Sequence, residues 1–522
     1  LGGLERLSRL DSWIVEGSGR ENLSAELQGL SPDAPTWRPH DERVAVLRAA
    51  GTVAWERRTP RNDQSLRWRR FIYKPDAFAV VDWTSGSGSM RPTGSPASAR
   101  EALMRRVPHV LLLEAATRAT RAMSRGEWRL AGAGLDVVEV ALPDETVLTL
   151  LFAKDPALLA SAEYRLYLPG LGDVMVAWQW HGWKKHPRLG FAPSGHLIDV
   201  DGTTFQEVEY SRYEADPAAA AALTIVPANL TPRPRAGRDP PPPAGSSTGE
   251  VAPGVWIVEA GGFLAMFVEF RDFVVVFDAP ASGAGLEAIP ASGRSGSALA
   301  TNELLAAIAR ECPGKPVRYL ILSHHHGDHL GGARGFAGRG VTILAAPAHV
   351  AAARRALEAP HALAPDSWSG PARETLVEAV SGRRVVTDGN RRLEVINVGE
   401  NPHTTESLIA WLPEERLLLQ GDLFYYAEGE PFPPAGRETM NRFFARWLSA
   451  RGIAPRAVYG VHYPGAAPPE ALARAAGPDC APSAPVKAGE AQWIPGKRAG
   501  PDSGRRRALQ RRTGSSGWSD RS

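Results

Sequence analysis

Two kinds of hydrophobic pattern divide the chain. Up to about residue 215, short runs rich in Val, Tyr, Trp and Phe partly alternate with polar residues and end at Gly, Pro or Asp, which is typical of antiparallel strands. These runs predict strands within residues 66–81, 136–152, 163–168, 173–183 and 203–213. Residues 99–124 form a helix candidate, broken or kinked at Pro108. The pattern therefore predicts an antiparallel sheet curved around one helical hairpin.

A proline-rich segment, residues 231–249, separates this half from a different pattern. It includes the run Pro240–Pro243 and has little to bury, so we expect a semi-rigid linker. From Val251 onward, strand patterns alternate with helical ones, which is typical of an α/β domain. The predicted organisation is a β-rich domain (1–228), a linker (229–249), a catalytic domain (250–476) and a disordered basic tail (477–522).

Composition and charge exclude several functional classes. Hydrophobic residues make up 43% of the 522 positions, which suits a globular protein of two or three units. No apolar run reaches the ~18 residues that a membrane span needs. Only Cys312 and Cys480 are present, so cysteines can build neither a disulfide framework nor a zinc site. The net charge of +3 comes from the basic tail, so we expect no nucleic-acid partner for the main body.

A histidine cluster carries the strongest chemical signal. Four of the 13 histidines and one aspartate lie within six positions: His324, His325, His326, Asp328 and His329. The apolar run 317–323 precedes them and small residues follow, so the cluster is expected in a loop where a buried strand ends. His324 and His326 can face one ion while Asp328 and His329 face another. Nitrogen and carboxylate donors without thiolate fit zinc, and also iron or manganese.

Three more candidate donors follow later strand-like runs. His403 lies in the loop after residues 392–398, Asp422 follows 416–420, and His462 follows 457–461. Either histidine alone would more often be an ordinary loop residue. Together with the first cluster, the three donors predict a shared site at the ends of several strands.

The order of these motifs, from about Val251 to Ala476, resembles that of the metallo-β-lactamase-fold hydrolase superfamily. The resemblance implies an αββα sandwich with a dinuclear metal cleft at one edge. By that resemblance, His324, His326 and His403 hold the first metal, Asp328, His329 and His462 hold the second, and Asp422 bridges both. Asp278 resembles the strand-end aspartate that steadies such a site through hydrogen bonds, although it could instead be a simple turn residue.

The implied function is hydrolysis with two Zn²⁺ ions, or Fe or Mn. Hydroxide formed from metal-bound water would attack an ester, thioester or amide-type small molecule, and Asp328 could orient the nucleophile and carry a proton. Asp422 stands where true β-lactamases of this superfamily generally have cysteine or serine, which favours the glyoxalase II-like branch. Two alternatives stay open, namely a mononuclear-iron oxygenase of the persulfide dioxygenase type and a ligand carrier with a vestigial metal site.

The remaining expectations concern the surroundings of the site. His325 is expected to point away from the ions, towards solvent or behind the ligands. Residues 423–442 could overhang the cleft as a recognition loop or pack on the surface, and the Trp-rich segment 178–183 could line a groove or belong to a core. The N-terminal half looks similar to a lipoprotein-carrier-like β-domain found ahead of some bacterial members. No signal peptide is visible, and cytoplasm, periplasm and the oligomeric state all stay open.

Overall fold

The computed structural model describes most of the chain up to Gly477. The described residues are 3–22, 37–60, 66–83, 87–91, 97–130, 133–228, 231–232, 248–260, 263–281, 289, 299–337, 339–363, 375–427, 432–434, 437–462 and 465–477. Most of the predicted linker and the basic tail after Gly477 therefore lie outside the described residues.

The N-terminal half forms one sheet of fourteen strands. The strands of this half, in chain order, are β1 (Ser12–Asn22), β2 (Trp37–Leu47), β3 (Thr52–Pro60), β4 (Leu66–Tyr73), β5 (Phe78–Asp82), β6 (Ser87–Arg91), β7 (Arg121–Leu130), β8 (Ala133–Ala141), β9 (Val147–Ala153), β10 (Leu158–Leu168), β11 (Gly172–His181), β12 (Lys184–His186), β13 (Gly190–Ala192), β14 (Gly195–Val200), β15 (Thr203–Glu214) and β16 (Thr231–Pro232). Only β12 and β13 stand apart, as a small separate pair. The order across the large sheet is β16-β6-β5-β4-β3-β2-β1-β15-β14-β11-β10-β9-β8-β7, with antiparallel neighbours except for the β16–β6 pair. The pairing of β1 with β15 joins its early and late strands.

Among the described residues, four helices accompany this sheet. They are α1 (Leu4–Ser8), α2 (Ala97–Met104), α3 (Pro108–Arg118) and α4 (Pro217–Leu223). Pro108 stands at the start of α3. The first N–H groups of a helix have no partner within it, so proline is tolerated there. The predicted break at Pro108 therefore separates two helices. The predicted helix is wrong beyond Arg118, because Ala119 leaves the helical conformation and Arg121 already pairs with Ala141 in a strand.

The Trp-rich segment belongs to the core of the N-terminal half. Trp178 and Trp180 are buried together with Leu111 of α3, which covers this part of the sheet. The core interpretation is therefore correct for these two residues, and they line no open groove.

The C-terminal region contains two sheets with helices outside them. The first sheet is β17 (Thr248–Ala252), β18 (Val255–Ala260), β19 (Phe263–Glu269), β20 (Val274–Phe277), β21 (Val317–Ile321), β22 (Thr342–Ala345) and β23 (Val377–Ala379). The second sheet is β24 (Arg383–Thr387), β25 (Arg392–Asn397), β26 (Leu408–Leu412), β27 (Leu417–Gln420) and β28 (Ala457–Gly460). The helices are α5 (Leu299–Glu311), α6 (Gly327–Leu330), α7 (Val350–Glu358), α8 (Glu438–Ser449) and α9 (Pro469–Ala476).

Strand β20 explains the layering of this region. Val275 and Phe277 point into the core between the two sheets, where they meet residues of the second sheet such as Leu419. Val274 and Val276 point to the other face and pack in the cluster that contains residues of α5 and α7. Helices α8 and α9 cover the outer face of the second sheet in the same way. The predicted αββα sandwich behind an antiparallel β-rich half is confirmed.

The two halves touch at the turn between β10 and β11. A Cβ atom at Gly331, directly after α6, would lie 2.6 Å from the Cβ of Pro169 in this turn. Nearby, the Asp173 carboxylate accepts a 2.7 Å hydrogen bond from the backbone N–H of Ala362. Both halves belong to one compact unit that ends at Ala481, and the boundaries 1–228 and 250–476 stay a prediction. Among the described residues, no helix combines the length and hydrophobicity that crossing a bilayer requires.

Candidate metal centre

The histidine cluster lies in the turn between β21 and α6. His324 and His326 follow the buried end of the strand, and α6 begins at Gly327, so Asp328 and His329 stand on its single turn. His324, His326 and His329 are all buried. The turn is tightly enclosed, because a Cβ at Gly421 would come within 2.4 Å of Ser323 Oγ. Glycine at 421 therefore lets two strand ends approach each other closely.

The other donors reach this turn from three strand ends of the second sheet. Strands β25, β27 and β28 share one direction, because β26 is antiparallel to both β25 and β27 while β27 is parallel to β28. Their carboxyl ends therefore meet at one edge. Asn401 Oδ1 accepts the N–H of His403 at 3.0 Å and fixes its loop, and Gln420 Oε1 accepts the N–H of Leu423 at 2.7 Å just after Asp422.

The seven predicted ligands come together in two adjacent groups. Within each group the nearest potential ligand atoms all lie within 4.8 Å of one another. The first group is His324, His326, His403 and Asp422, and the second is Asp328, His329 and His462. The Nε2 atoms of His324 and His403 are 3.1 Å apart. The two groups match the division that the resemblance implies.

Asp422 lies between the two groups. Its Oδ2 is 3.3 Å from His403 Nε2 in the first group. Its Oδ1 is 3.1 Å from His329 Nε2 and 2.8 Å from His462 Nε2 in the second. The carboxylate thus offers one oxygen to each group, which is the placement that a bridging ligand requires.

Asp278 supports the second group from behind. It follows β20 with a positive φ of 60° and is completely buried. Its carboxylate accepts hydrogen bonds from the N–H and the hydroxyl of Ser323, both at 2.7 Å, and lies 2.8 Å from His329 Nδ1. Asp278 is therefore more than a turn residue, because it leaves Nε2 as the nitrogen of His329 that faces Asp422.

The electrostatics of the two groups differ. Burial, together with the neighbouring histidines, holds the pKa of His324 and of His326 well below the ordinary value. Burial also lowers the pKa of His403 to about 4. For His329, burial acts in the same direction, but the carboxylates of Asp328, Asp422 and Asp278 outweigh it and hold the pKa well above the ordinary value. Burial therefore favours neutral imidazoles in the first group, whereas the carboxylates around His329 favour its protonated form.

The donor atoms fit metal ions by their chemistry and their alignment. Asp422 Oδ1 and His462 Nε2 are close, but neither has a properly aligned hydrogen bond among the described residues. Asp328 Oδ1 likewise has no hydrogen-bond partner there. Buried polar atoms normally have hydrogen-bond partners. Oxygen and imidazole ligand atoms that lie close together without hydrogen bonds to one another suit a cation between them.

Sequence comparison identifies the domain that carries this site. Residues 265–474 match the sequence profile of the metallo-beta-lactamase superfamily. This region is a metallo-beta-lactamase-fold domain. The superfamily resemblance is thereby confirmed, while the glyoxalase II-like branch stays a prediction. The fold and its converging histidines and aspartates support a metal cofactor and a metal-dependent hydrolase or related activity.

Solved structures similar to the chain include several proteins of this fold. A metallo-beta-lactamase from Pontibacter korlensis has 18% identity and a TM-score of 0.32, with 44% of this chain and 95% of that one covered. The metallo-beta-lactamase FIM-1 from Pseudomonas aeruginosa, in its mono-zinc form, has 16% identity and a TM-score of 0.32, with coverage of 44% and 93%. Rubredoxin oxygen:oxidoreductase from Desulfovibrio gigas has 17% identity and a TM-score of 0.31, with coverage of 44% and 59%. No curated protein matches the chain.

His325 lies behind the two donor groups and belongs to neither of them. It is only 2% exposed, so the solvent-facing alternative is wrong. Its ring stacks on His349 at 4.5 Å between centroids, and burial lowers its pKa to about 3. His349 in turn is held 2.7 Å from the backbone oxygen of Glu406, so His325 is part of the packing that supports the turn.

Two aromatic side chains lie around His462: Tyr425, from the candidate recognition loop 423–442, and Phe263, which was not predicted as part of the site. The Tyr425 ring is stacked at 6.1 Å from the His462 ring, and Phe263 meets the same ring edge-on at 5.6 Å. Tyr425 and Phe424 are buried, so these members of the segment 423–442 pack against the domain and do not overhang the cleft. Residues 428–431 and 435–436 of that segment lie outside the described residues.

A third acidic group lies in the N-terminal half. Glu101, Glu114 and Asp144 have oxygens close enough to share a metal ion. The buried guanidinium of Arg105 already lies 2.8 Å from Glu114 and 2.6 Å from Asp144, and Arg118 contacts Glu101 at 2.9 Å. These arginines neutralise the carboxylates, so the group is a partly buried ion-pair network.

Proposed function

We propose that this protein is a hydrolase that cleaves an ester, thioester or amide bond in a small molecule with two Zn²⁺ ions. His324, His326 and His403 would hold one ion, Asp328, His329 and His462 would hold the other, and Asp422 would bridge them. The observation that carries the proposal is the position of Asp422, whose two oxygens lie 3.3 Å from His403 and 2.8 Å from His462.

Two bound ions would supply an acidified water and a Lewis acid for the substrate oxygen. The protein contributes the arrangement of the groups around that chemistry. Asp278 keeps the Nδ1 side of His329 occupied, so Nε2 stays directed at the site. The low pKa values of His324 and His326 keep both imidazoles available as neutral ligands at pH 7.

Asp328 is the best candidate for proton transfer. One of its oxygens, Oδ2, lies 3.4 Å from His462 Nε2, whereas Oδ1 has no hydrogen-bond partner among the described residues. Its side chain is 21% exposed, in contrast to the fully buried His329 beside it. A carboxylate oxygen that no described protein group occupies can accept a proton from an attacking water and pass it to the leaving group.

The test combines elemental analysis with turnover. We expect about two zinc ions per chain and hydrolysis of at least one substrate among thioesters, lactones and β-lactams, with loss of activity after chelation, whereas turnover of phosphodiesters alone would contradict the proposal. His326→Ala and Asp422→Ala should abolish that turnover, whereas His181→Ala, an exposed histidine of the N-terminal sheet, should retain it. Full turnover by the Asp422→Ala enzyme would refute the assignment.

Metal analysis also separates the proposal from an oxygenase of the same fold. One iron ion per chain, with oxygen consumption and no hydrolysis, would favour the mononuclear-iron alternative. In that case the buried group of His324, His326, His403 and Asp422 would be the metal site.

A further inference from the structure

His349 lies between the two loops that carry the histidines of the first group. It ends a single 3₁₀ turn, Pro347–His349, directly before α7, and its side chain is buried. On one side its ring stacks on His325, with 4.5 Å between the ring centroids and 26° between the ring planes. On the other side its Nε2 lies 2.7 Å from the backbone oxygen of Glu406. None of the proposed chemistry uses this histidine.

The contact with Glu406 determines which ring nitrogen of His349 carries a proton. A backbone carbonyl can only accept a hydrogen bond, so Nε2 must be the donor. The same carbonyl accepts a 2.5 Å hydrogen bond from the hydroxyl of Thr404, the residue after His403. His349 therefore donates to a carbonyl that also closes the loop of His403.

The side chain of Glu406 makes a second connection between the same two segments. Its Oε2 accepts the N–H of Ala348 at 2.8 Å, within the 3₁₀ turn, and its Oε1 accepts a 3.0 Å hydrogen bond from Asn397 at the end of β25. Hydrogen bonds to a carboxylate are stronger than those between neutral groups. Ala348 and His349 thus attach the turn before α7 to the loop of His403 at two points.

The stack on His325 connects His349 to the other loop. His325 stands between His324 and His326, and neither of its ring nitrogens has a hydrogen-bond partner among the described residues. Packing must therefore hold its ring, and the His349 ring is one of the surfaces it packs on. Because His324 and His326 adjoin His325 along the chain, a shift of His325 would move both.

We propose that His349 is a positioning residue that holds the loop of His403 against the turn of His324 and His326. The first group is then arranged before an ion arrives, which reduces the entropy lost on binding. The inference rests on the metal site of the proposed function and deepens it, because it adds to the seven ligands a residue that coordinates no ion.

The test compares two buried histidines that make the same kind of hydrogen bond in different places. His109, in the N-terminal half, is also buried, and its Nε2 lies 2.9 Å from the backbone oxygen of Phe191. His349→Leu and His109→Leu each remove the donor to one carbonyl, so both should lower the unfolding free energy of the metal-free protein. Zinc affinity is then titrated against a competing chelator in a His462→Ala background, in which only the first group is complete. It should fall about 10-fold in His349→Leu and stay unchanged in His109→Leu.

Glutamine is the conservative replacement. Its side-chain amide can donate to the Glu406 carbonyl in place of Nε2, so His349→Gln should recover most of the lost zinc affinity. If His349→Leu does not fold, His349→Phe replaces it and is compared with His109→Phe, because phenylalanine keeps a ring to stack on His325 and removes only the donor.

Hydrogen exchange of the metal-free protein gives a readout that needs no ion. The N–H groups of His403 and Thr404 donate to Asn401 Oδ1 at 3.0 and 2.9 Å, and they report on the order of this loop. Their exchange should be faster in His349→Leu than in the wild type and in His109→Leu.

Two results would overturn the inference while the proposed function stands. One is wild-type zinc affinity in His349→Leu with unchanged exchange of the His403 loop, and the other is an equal loss of affinity in both leucine variants, which would reflect stability alone. Absence of zinc binding by the wild type would overturn both proposals. If the variants behave as expected but the wild type hydrolyses no test substrate, the proposed reaction loses support and the positioning role stands.

Discussion

Replacement of Asp278 by asparagine should selectively weaken the second metal group. The substitution keeps the size of the side chain but replaces one acceptor oxygen with an amide donor. If the remaining oxygen keeps the Ser323 N–H, the new amide faces the Ser323 hydroxyl and His329 Nδ1, which now lie 2.7 and 2.8 Å from a carboxylate oxygen. The hydroxyl can rotate to accept. To accept a hydrogen bond from the new amide, Nδ1 of His329 must be unprotonated. The ring then carries its proton on Nε2, the nitrogen that faces Asp422.

The size of the effect follows from the bonds that are lost. A hydrogen bond to a charged group contributes about 1.5–3 kcal/mol. Asp278→Asn keeps the bond from the Ser323 N–H, reverses the bond with the Ser323 hydroxyl and loses the bond with His329. The metal-free protein should therefore lose about 2–3 kcal/mol of unfolding free energy. Loss of the partner behind a metal-binding imidazole weakens metal affinity about 10- to 100-fold, so the effect should fall on the group that contains His329.

Zinc titration against a competing chelator measures the affinity, and urea unfolding of metal-free protein measures the stability. Asp388→Asn is the control, because Asp388 also accepts three backbone hydrogen bonds, from Arg271, Asn390 and Arg391, but lies in the β24–β25 turn at the opposite end of β25 from His403. We expect normal zinc affinity in that variant. If Asp278→Asn binds both zinc ions with wild-type affinity, the supporting role of Asp278 is refuted.

Three further predictions concern the pKa values and the close packing. Because the neighbouring carboxylates raise the pKa of His329 and favour its protonated form in the metal-free protein, zinc binding should release at least about one proton per chain, detectable by calorimetry in buffers of different ionisation heat. Proton-free binding would contradict this. Gly421→Ala places a Cβ 2.4 Å from Ser323 Oγ and should lower the unfolding free energy by about 1–3 kcal/mol, whereas Gly382→Ala, with no atom within 4 Å, should be milder in urea unfolding. Burial lowers the pKa of His109 to about 4, so the contribution of its neutral ring to stability is complete above pH 6.5 and falls as the pH decreases. At pH 5 about 2 kcal/mol of unfolding free energy should be lost. In urea unfolding, His109→Gln should not show this loss.

The metal centre could be anticipated from local sequence because the donors lie in the segments that follow strand ends. Strands β27 and β28 are short, apolar and almost fully buried, and β21 is buried at its C-terminal end, so polar residues that follow these strands must lie at an edge of a sheet. Parallel strands bring such edges together. The assignment of His403, Asp422 and His462 to the two groups needed the family resemblance, because spacing along the chain does not determine which distant side chains face each other.

Contacts between distant segments could not be anticipated in the same way. The stacking of Tyr425 on His462 and the position of Arg437 over Tyr425 depend on where α8 packs, and the sequence around Arg437 contains no distinctive pattern. The end of the helix at Arg118 depends likewise on the pairing of Arg121 with Ala141. Local propensity extends a helix until tertiary pairing ends it.

The N-terminal sheet contacts the helix that carries part of the second group of proposed ligands. Gly170, in the turn between β10 and β11, has a φ of +79°, and a Cβ there would lie 2.8 Å from Leu330 Cδ1. Leu330 ends α6, the one-turn helix that carries two of the proposed ligands, Asp328 and His329. A helix of four residues has too few internal hydrogen bonds to fix its own position, so its neighbours must do so. Asp278 and Gly421 constrain it from the catalytic side, and the β10–β11 turn constrains it from the N-terminal sheet. The geometry of the second metal group is therefore a property of both halves of the chain.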